Sequence, residues 1–157
     1  MKQRRVRPLA ICVFRKADLI LVAEGYDPTK GETFYRPLGG EIDFGEYGHQ
    51  TAAREVREEI DAEATDLQYL GTIENIFTYD GQPGHEIVLV YDGSFVDRSM
   101  YEKIEVSGQE TGYGSFKAVW KPMQDFQNGW AQLYPAGLHE LLMRHQINMR
   151  EKEETER

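Results

Sequence analysis

Two hydrophobic periodicities alternate along the chain. Val6–Phe14 and Leu19–Glu24 are dense in branched and apolar residues and read as strands, with Arg15–Asp18 as the hairpin connection. Leu67–Tyr79 and His85–Phe95 repeat the arrangement around Asp80-Gly81-Gln82-Pro83-Gly84, a strong turn signal. Ser115–Lys121 is a further strand, closed by Pro122. Tyr47–Ile60 is different. It lacks proline, carries only Gly48 near its start, and separates charged from apolar positions with a helical period. Pro135–Gln146 reads as a second helix, with Pro135 in the first turn and Leu138, Leu141 and Leu142 on one face. Strands, a helix, more strands and a final helix predict an α/β fold with a mixed sheet flanked by helices.

Length and composition fit that picture. The 157 residues suit one domain, expected over 1–149, with a charged, flexible tail over 150–157. Cys12, the single cysteine, lies in the apolar run Leu9–Phe14, so a buried, inert thiol is expected. No apolar run approaches membrane-spanning length and no signal peptide is visible, so a cytoplasmic protein is expected. The net charge of −9 argues against general nucleic-acid binding. A small phosphorylated ligand is still compatible if a cation separates the two sets of negative charge.

The predicted first helix carries Glu55, Glu58 and Glu59. Positions three and four apart share a helical face, so these carboxylates cluster within about a third of the circumference. Val56 and Ile60 point the other way and anchor the helix on a core, with Ala53 nearby. Like charges at this spacing repel, and Arg54, four residues before Glu58, relieves part of the strain. A solvated surface face is the ordinary meaning of such a pattern. A cation site is the alternative, because hard cations such as Mg²⁺ take a few carboxylates together with water and phosphate oxygens.

The segment before the helix decides between them. Gly39-Gly40 lets backbone approach a ligand closely, Glu46 stands six residues after Gly40, and Arg54-Glu55 begin eight residues after Glu46. Gly40, Glu46, Arg54, Glu55, Val56, Glu58 and Glu59 resemble the signature box of the Nudix hydrolases. Two positions depart from it: Asp61 stands where the pattern has glycine, and Ala62 where it has a bulky apolar residue. Asp is one of the few residues tolerated where a helix-ending glycine is wanted.

The resemblance implies a Nudix-like αβα sandwich with a mixed, curved sheet, over most of Val6–Gln146. It implies a Mg²⁺-dependent enzyme, with Mn²⁺ as a substitute, that cleaves a diphosphate bond in a nucleotide derivative. Glu55, Glu58, Glu59 and the Gly39 carbonyl are implied as metal ligands, Arg54 as the residue orienting a glutamate, and Glu46 as a group acting through neighbours or water. Glu55 is the choice for general base, with Glu110, placed in a polar loop Ser107–Gly114, as runner-up. Arg36 is a candidate for phosphate, with a structural salt bridge as the competing role. His85 and Glu86 are candidates for substrate. Phe77, Tyr79, Trp130 and Tyr134 are candidates for stacking, although aromatic residues at such positions are more often core. A small nucleotide is the expected partner, a homodimer is allowed, and the alternative function is a binding module that keeps the fold without turnover. His139-Glu140-Leu141-Leu142 starts like a zinc signature but continues with Met143, so zinc is not expected there.

Overall fold

The protein is described here by a computed structural model covering residues 3–110 and 112–155, with side chains described outside 147–155. The strands are β1 (Arg7–Lys16), β2 (Leu19–Asp27), β3 (Glu32–Arg36), β4 (Leu38–Glu41), β5 (Ala64–Tyr79), β6 (Gln82–Phe95), β7 (Glu105–Glu110), β8 (Gly114–Pro122) and β9 (Gln132–Leu133). The helices are α1 (Gly48–Ile60), α2 (Met123–Gln127) and α3 (Leu138–Thr155). They form the expected mixed, curved sheet between helices. β1 is buried on both faces, which is why its sequence reads as an unbroken apolar run. Ala10, Cys12 and Phe14 pack with Ala52 and Val56 of α1. Ile11 and Val13 pack with Leu138, Leu141 and Leu142 of α3. Each fully buried leucine contributes about 2 kcal/mol of transfer free energy. No helix among the described residues is long and apolar enough to cross a membrane.

The sheet forks. β1 pairs with β6 along Arg7–Phe14 and with β4 at Leu9–Cys12, but reaches β2 only at Arg15 and Lys16. One branch is therefore β5-β6-β1-β4. The other holds β2, with β8 and β7 on one side and β3 and β9 on the other. Pro37 carries the chain from β3 in one branch to β4 in the other. The far ends of the branches meet again at two hairpin tips. Buried Asp27 accepts the backbone N–H groups of Thr29 (3.0 Å), Lys30 (3.1 Å) and Asp80 (3.2 Å). The Thr29 hydroxyl donates to Asp80 (2.8 Å) and Lys30 Nζ to the Thr78 carbonyl (2.8 Å). Phe34 of one branch meets Tyr79 of the other edge to face, with ring centroids 5.9 Å apart.

Several elements differ from expectation. β3, β4, β7 and β9 carry no clear strand signal, because β3, β4 and β7 are short and hold glycine or charged residues and β9 spans two residues. Glu110 ends strand β7, not a loop. Its strand rests on pairing with β8, a tertiary cause that local composition does not carry. α3 starts at Leu138, with Pro135 ahead of it, and its backbone continues to Thr155, into the segment expected to be flexible. Straight-chain helix formers dominate 150–155, which favours that continuation. Glu156 and Arg157 lie outside the described residues. Cys12 is fully buried, and burial pushes its thiol far above the ordinary value, with Asp92 adding to the shift.

Candidate active site

The β4–α1 connection places the first residues. Gly39 has φ 156°, and a Cβ there would come 2.2 Å from the Ala10 carbonyl oxygen, so only glycine fits. A Cβ on Gly40 would meet the Glu55 carboxyl carbon at 2.4 Å. The two glycines thus let β4 pass directly under the helix that carries the carboxylates. The helix starts after Tyr47, whose backbone N–H is accepted by Gln50 Oε1 at 2.9 Å. It ends on Asp61, left-handed at φ 52°, whose N–H bonds the Arg57 carbonyl at 3.0 Å. Asp61 therefore takes the conformation that glycine usually supplies at a helix end.

Arg54 organises the acidic residues. Its Nε and Nη2 each donate to a Glu46 carboxylate oxygen at 2.9 Å, a bidentate pair. Its Nη1 donates to Glu55 (3.0 Å) and Glu58 (3.2 Å), and Nη2 also reaches the Glu41 carbonyl (3.2 Å). Thr51, fully buried, donates its hydroxyl to Glu46. Arg54 and then Thr51 hold the Glu46 carboxyl down at about 2. Glu46 thus braces Arg54, and Arg54 braces Glu55.

Glu59 is the buried member, 7% exposed, and accepts the Gly39 N–H at 3.1 Å. Burial pushes its carboxyl up to about 8; Arg36 and the Gly39 N–H oppose that shift, while Glu55 and Glu110 reinforce it. Burial also raises Glu55 above the usual range, against the pull of Arg54. Both groups lack enough positive charge nearby to be comfortable as anions. Glu58 is more than half exposed.

Arg36, on β3, and Glu110, at the end of β7, form an ion pair. Both lie close enough to Glu59 to act on its charge, so α1, β3, β4 and β7 converge here. The three helix carboxylates do not form a ready-made cage. Arg54 fills the space between Glu55 and Glu58, Glu59 turns to Gly39, and no acidic, His or Cys cluster among the described residues converges as a metal cage. His85 and Glu86 are neighbours on β6 and so occupy opposite faces. Glu86 is buried and paired with Arg7, while His85 lies opposite Ile76 on the other face. Phe77 lies over Gly84, Tyr134 meets Phe34 edge to face, and Trp130 is exposed. His139 lies on α3, away from these groups. Thr51 was missed from sequence, because a threonine inside a helix carries no signal of the partner it will find.

The NUDIX domain model matches residues 3–141. The chain belongs to the Nudix hydrolase family. Among solved structures, this Nudix hydrolase is similar to a NUDIX hydrolase from Nitrosomonas europaea, at 16% identity and TM-score 0.65, covering 92% of this chain and 90% of that one. A MutT protein from Methanosarcina mazei Go1 matches at 18% identity and TM-score 0.63, covering 94% and 98%. A MutT NUDIX hydrolase from Burkholderia pseudomallei matches at 17% identity and TM-score 0.57, covering 77% and 86%. At these identities the likeness shows the fold. No curated protein matches the sequence. The box residues of this Nudix hydrolase, Gly40 to Ala62, are the ones that build the β4–α1 site.

Proposed function

We propose that this Nudix hydrolase is a Mg²⁺-dependent pyrophosphohydrolase of nucleoside diphosphates linked to a further group. The observation that carries the reading is Glu59, a buried carboxylate set beside Glu55 and Glu110 with too little positive charge to match. All donors nearby are oxygens, which suits a hard divalent cation, with Mn²⁺ as a substitute. Glu55, Glu58, Glu59 and the Gly39 carbonyl would hold it. When bound, such a cation neutralises the diphosphate, polarises phosphorus and acidifies a water.

The remaining roles belong to the chain's own side chains. Arg54 pins one oxygen of Glu55 and leaves the other available, and Glu55 is the general base where that oxygen takes a proton instead of joining Glu58, Glu59 and the Gly39 carbonyl on the cation. Glu110 is the alternative base, and Glu55→Gln against Glu110→Gln, compared by rate at saturating substrate, separates the two. Arg36 offers a cation to the incoming phosphates, shared with Glu110. Glu46 holds Arg54 in place.

A phosphate-release screen with Mg²⁺, over nucleotide sugars, ADP-ribose, dinucleoside polyphosphates and oxidised nucleoside triphosphates, tests the reading. Release from at least one class is expected. Tight nucleotide binding with no release from any compound would favour the alternative, a binding module.

A further inference from the structure

Helix α1 buries a stripe of residues at helical spacing: Gly48, Thr51, Ala52, Val56 and Glu59. Two of them are polar. Glu59 belongs to the carboxylate cluster, whereas Thr51 stands apart from it. Thr51 is 0% exposed, and a valine would fill nearly the same space, so packing alone does not call for a hydroxyl there. A threonine inside a helix commonly turns its hydroxyl back onto the carbonyl four residues earlier. That acceptor is present, because Thr51 Oγ1 lies 3.4 Å from the Tyr47 carbonyl oxygen. The hydroxyl has one proton to give, and it is directed instead to Glu46 Oε1. An anion attracts that proton more strongly than a carbonyl that already accepts the Thr51 N–H at 3.0 Å.

The hydroxyl supplies a restraint that Arg54 cannot. Glu46 stands ahead of α1, on the connection from β4. Its Oε1 accepts Arg54 Nη2 (2.9 Å) and the Asp43 N–H (3.4 Å), and its Oε2 accepts Arg54 Nε (2.9 Å). Both partners of that pair have long side chains, so the pair by itself can swing as a unit; the Glu41 carbonyl steadies only Nη2, at 3.2 Å. Thr51 is short, β-branched and fixed on the buried face of the helix, so its hydroxyl ties the Glu46 carboxylate to the frame of α1. A guanidinium is planar and rigid, so once Nε and Nη2 are set on Glu46 the direction of Nη1 is set as well. Nη1 is the atom that donates to Glu55 (3.0 Å) and Glu58 (3.2 Å). Restraint therefore passes from Thr51 to Glu46, from Glu46 to Arg54 and from Arg54 to Glu55.

We propose that Thr51 is a positioning residue for hydrolysis: its hydroxyl sets the plane of the Glu46 carboxylate and, through Arg54, the orientation of Glu55. The inference rests on the hydrolase reading and deepens it, by adding a buried residue that acts only through others. Loss of the hydroxyl leaves the Glu46–Arg54 pair in place but lets it tilt, which moves Nη1 relative to Glu55. A small misplacement of a reacting or cation-holding group lowers the rate of the chemical step more than it lowers substrate binding.

The test compares Thr51→Val, which removes the hydroxyl and keeps the shape, with Thr51→Ser, which keeps the hydroxyl. Thr51→Ala serves as a second hydroxyl-free variant, and thermal unfolding is the folding control. In the metal-free protein, hydrogen exchange at the Arg54 Nε–H, followed by NMR, is expected to quicken by about tenfold in Thr51→Val and Thr51→Ala and to stay near wild type in Thr51→Ser. Calorimetric titration of Mn²⁺ alone is expected to show about tenfold weaker binding in the two hydroxyl-free variants and wild-type binding in Thr51→Ser. On the compound that the phosphate-release screen finds to be cleaved, kcat should fall by about tenfold in Thr51→Val with KM little changed, and Thr51→Ser should restore it. Unchanged Arg54 exchange in the folded hydroxyl-free variants overturns the proposal. So does a loss of protection that Thr51→Ser shares, since that would come from packing, and so does a change in KM with kcat intact. Wild type that cleaves no compound, with Arg54 exchange and Mn²⁺ binding responding as stated, sinks the hydrolase reading and leaves Thr51 setting the acidic cluster. Cleavage with an unresponsive Arg54 sinks this proposal alone.

Discussion

At the scale of single residues, Glu59 and Glu46 are opposites built from the same side chain. Glu59 is buried with one backbone N–H and a shared arginine, and its carboxyl is pushed up to about 8. Glu46 has a bidentate arginine and a hydroxyl, and is held at about 2. In the metal-free protein the folded state keeps a proton on Glu59 that the unfolded chain releases above its ordinary value of 4.5. The native state binds more protons in that window, so stability contributed by protonated Glu59 is complete below about 4.5 and is lost as pH rises toward about 8. Metal-free Glu59→Gln is therefore expected to flatten this fall. It should melt higher than wild type at pH 8 by about 3 °C or more, the equivalent of roughly 1 kcal/mol in a domain this size. Equal melting curves for the two proteins from pH 5 to pH 8 would contradict the burial argument. Turnover separates the residues differently. Glu59→Gln removes a ligand and is expected to cost at least about a hundredfold in rate, whereas Glu46→Gln, which loosens Arg54 indirectly, should cost less. Near-normal turnover and Mg²⁺ dependence in Glu59→Gln would move the metal off this helix.

At the scale of elements, the site depends on a short strand, one helix and a clip between hairpins. The clip centres on Asp27, whose carboxylate accepts three backbone N–H groups from two different tips. Those bonds hold its carboxyl below the usual range despite desolvation. Its contribution is accordingly present above the ordinary Asp range and lost on acidification. Asp27→Asn replaces one acceptor oxygen with a donor facing N–H groups. Amide exchange at Thr29, Lys30 and Asp80 is expected to rise together, with a lower melting temperature and little change in the middle of β1. Unchanged protection at Asp80 would mean that the two tips hold each other without Asp27. Gly39→Ala addresses β4 directly. A Cβ there meets backbone, not a flexible side chain, so β4 must shift and turnover should fall far more than in Gly40→Ala, where the Glu55 carboxylate can yield. Comparable rates for the two variants would count against a tight β4–helix contact as the basis of the site.

At the scale of the molecule, a chain of net charge −9 gathers carboxylates around one cleft and is proposed to cleave an anionic substrate there. A divalent cation resolves that conflict, and proton loss from Glu59 must accompany its binding. EDTA treatment is expected to abolish turnover while far-ultraviolet circular dichroism stays unchanged, since both cores are apolar and close without metal. The Mg²⁺ concentration for half-maximal rate should fall as pH rises from 6 to 8. Full activity in EDTA, or a Mg²⁺ midpoint independent of pH, would argue against a carboxylate cation site.

What the sequence determined by itself follows from local physics. The period of Tyr47–Ile60 and the spacing of Gly40, Glu46, Arg54, Glu55, Glu58 and Glu59 specify a helix that carries Glu55, Glu58 and Glu59 on one face of its second half, because helical geometry alone brings such positions together. The apolar runs of β1, β2 and β6 likewise announce buried strands. Only the tertiary structure decided the rest. Arg36 and Glu110 are 74 residues apart, and their meeting depends on β7 pairing with β8 and on Pro37 carrying the chain between branches. Glu55, Glu58 and Glu59 share a helix, yet they differ in burial because one faces β4 and another faces solvent. Glu86 is buried beside Arg7, 79 residues away in sequence, because β6 pairs with β1. Hydrophobic period reports which face of an element is buried; it holds no record of which distant element will cover that face, and the covering element sets the protonation and reach of every group in the cleft.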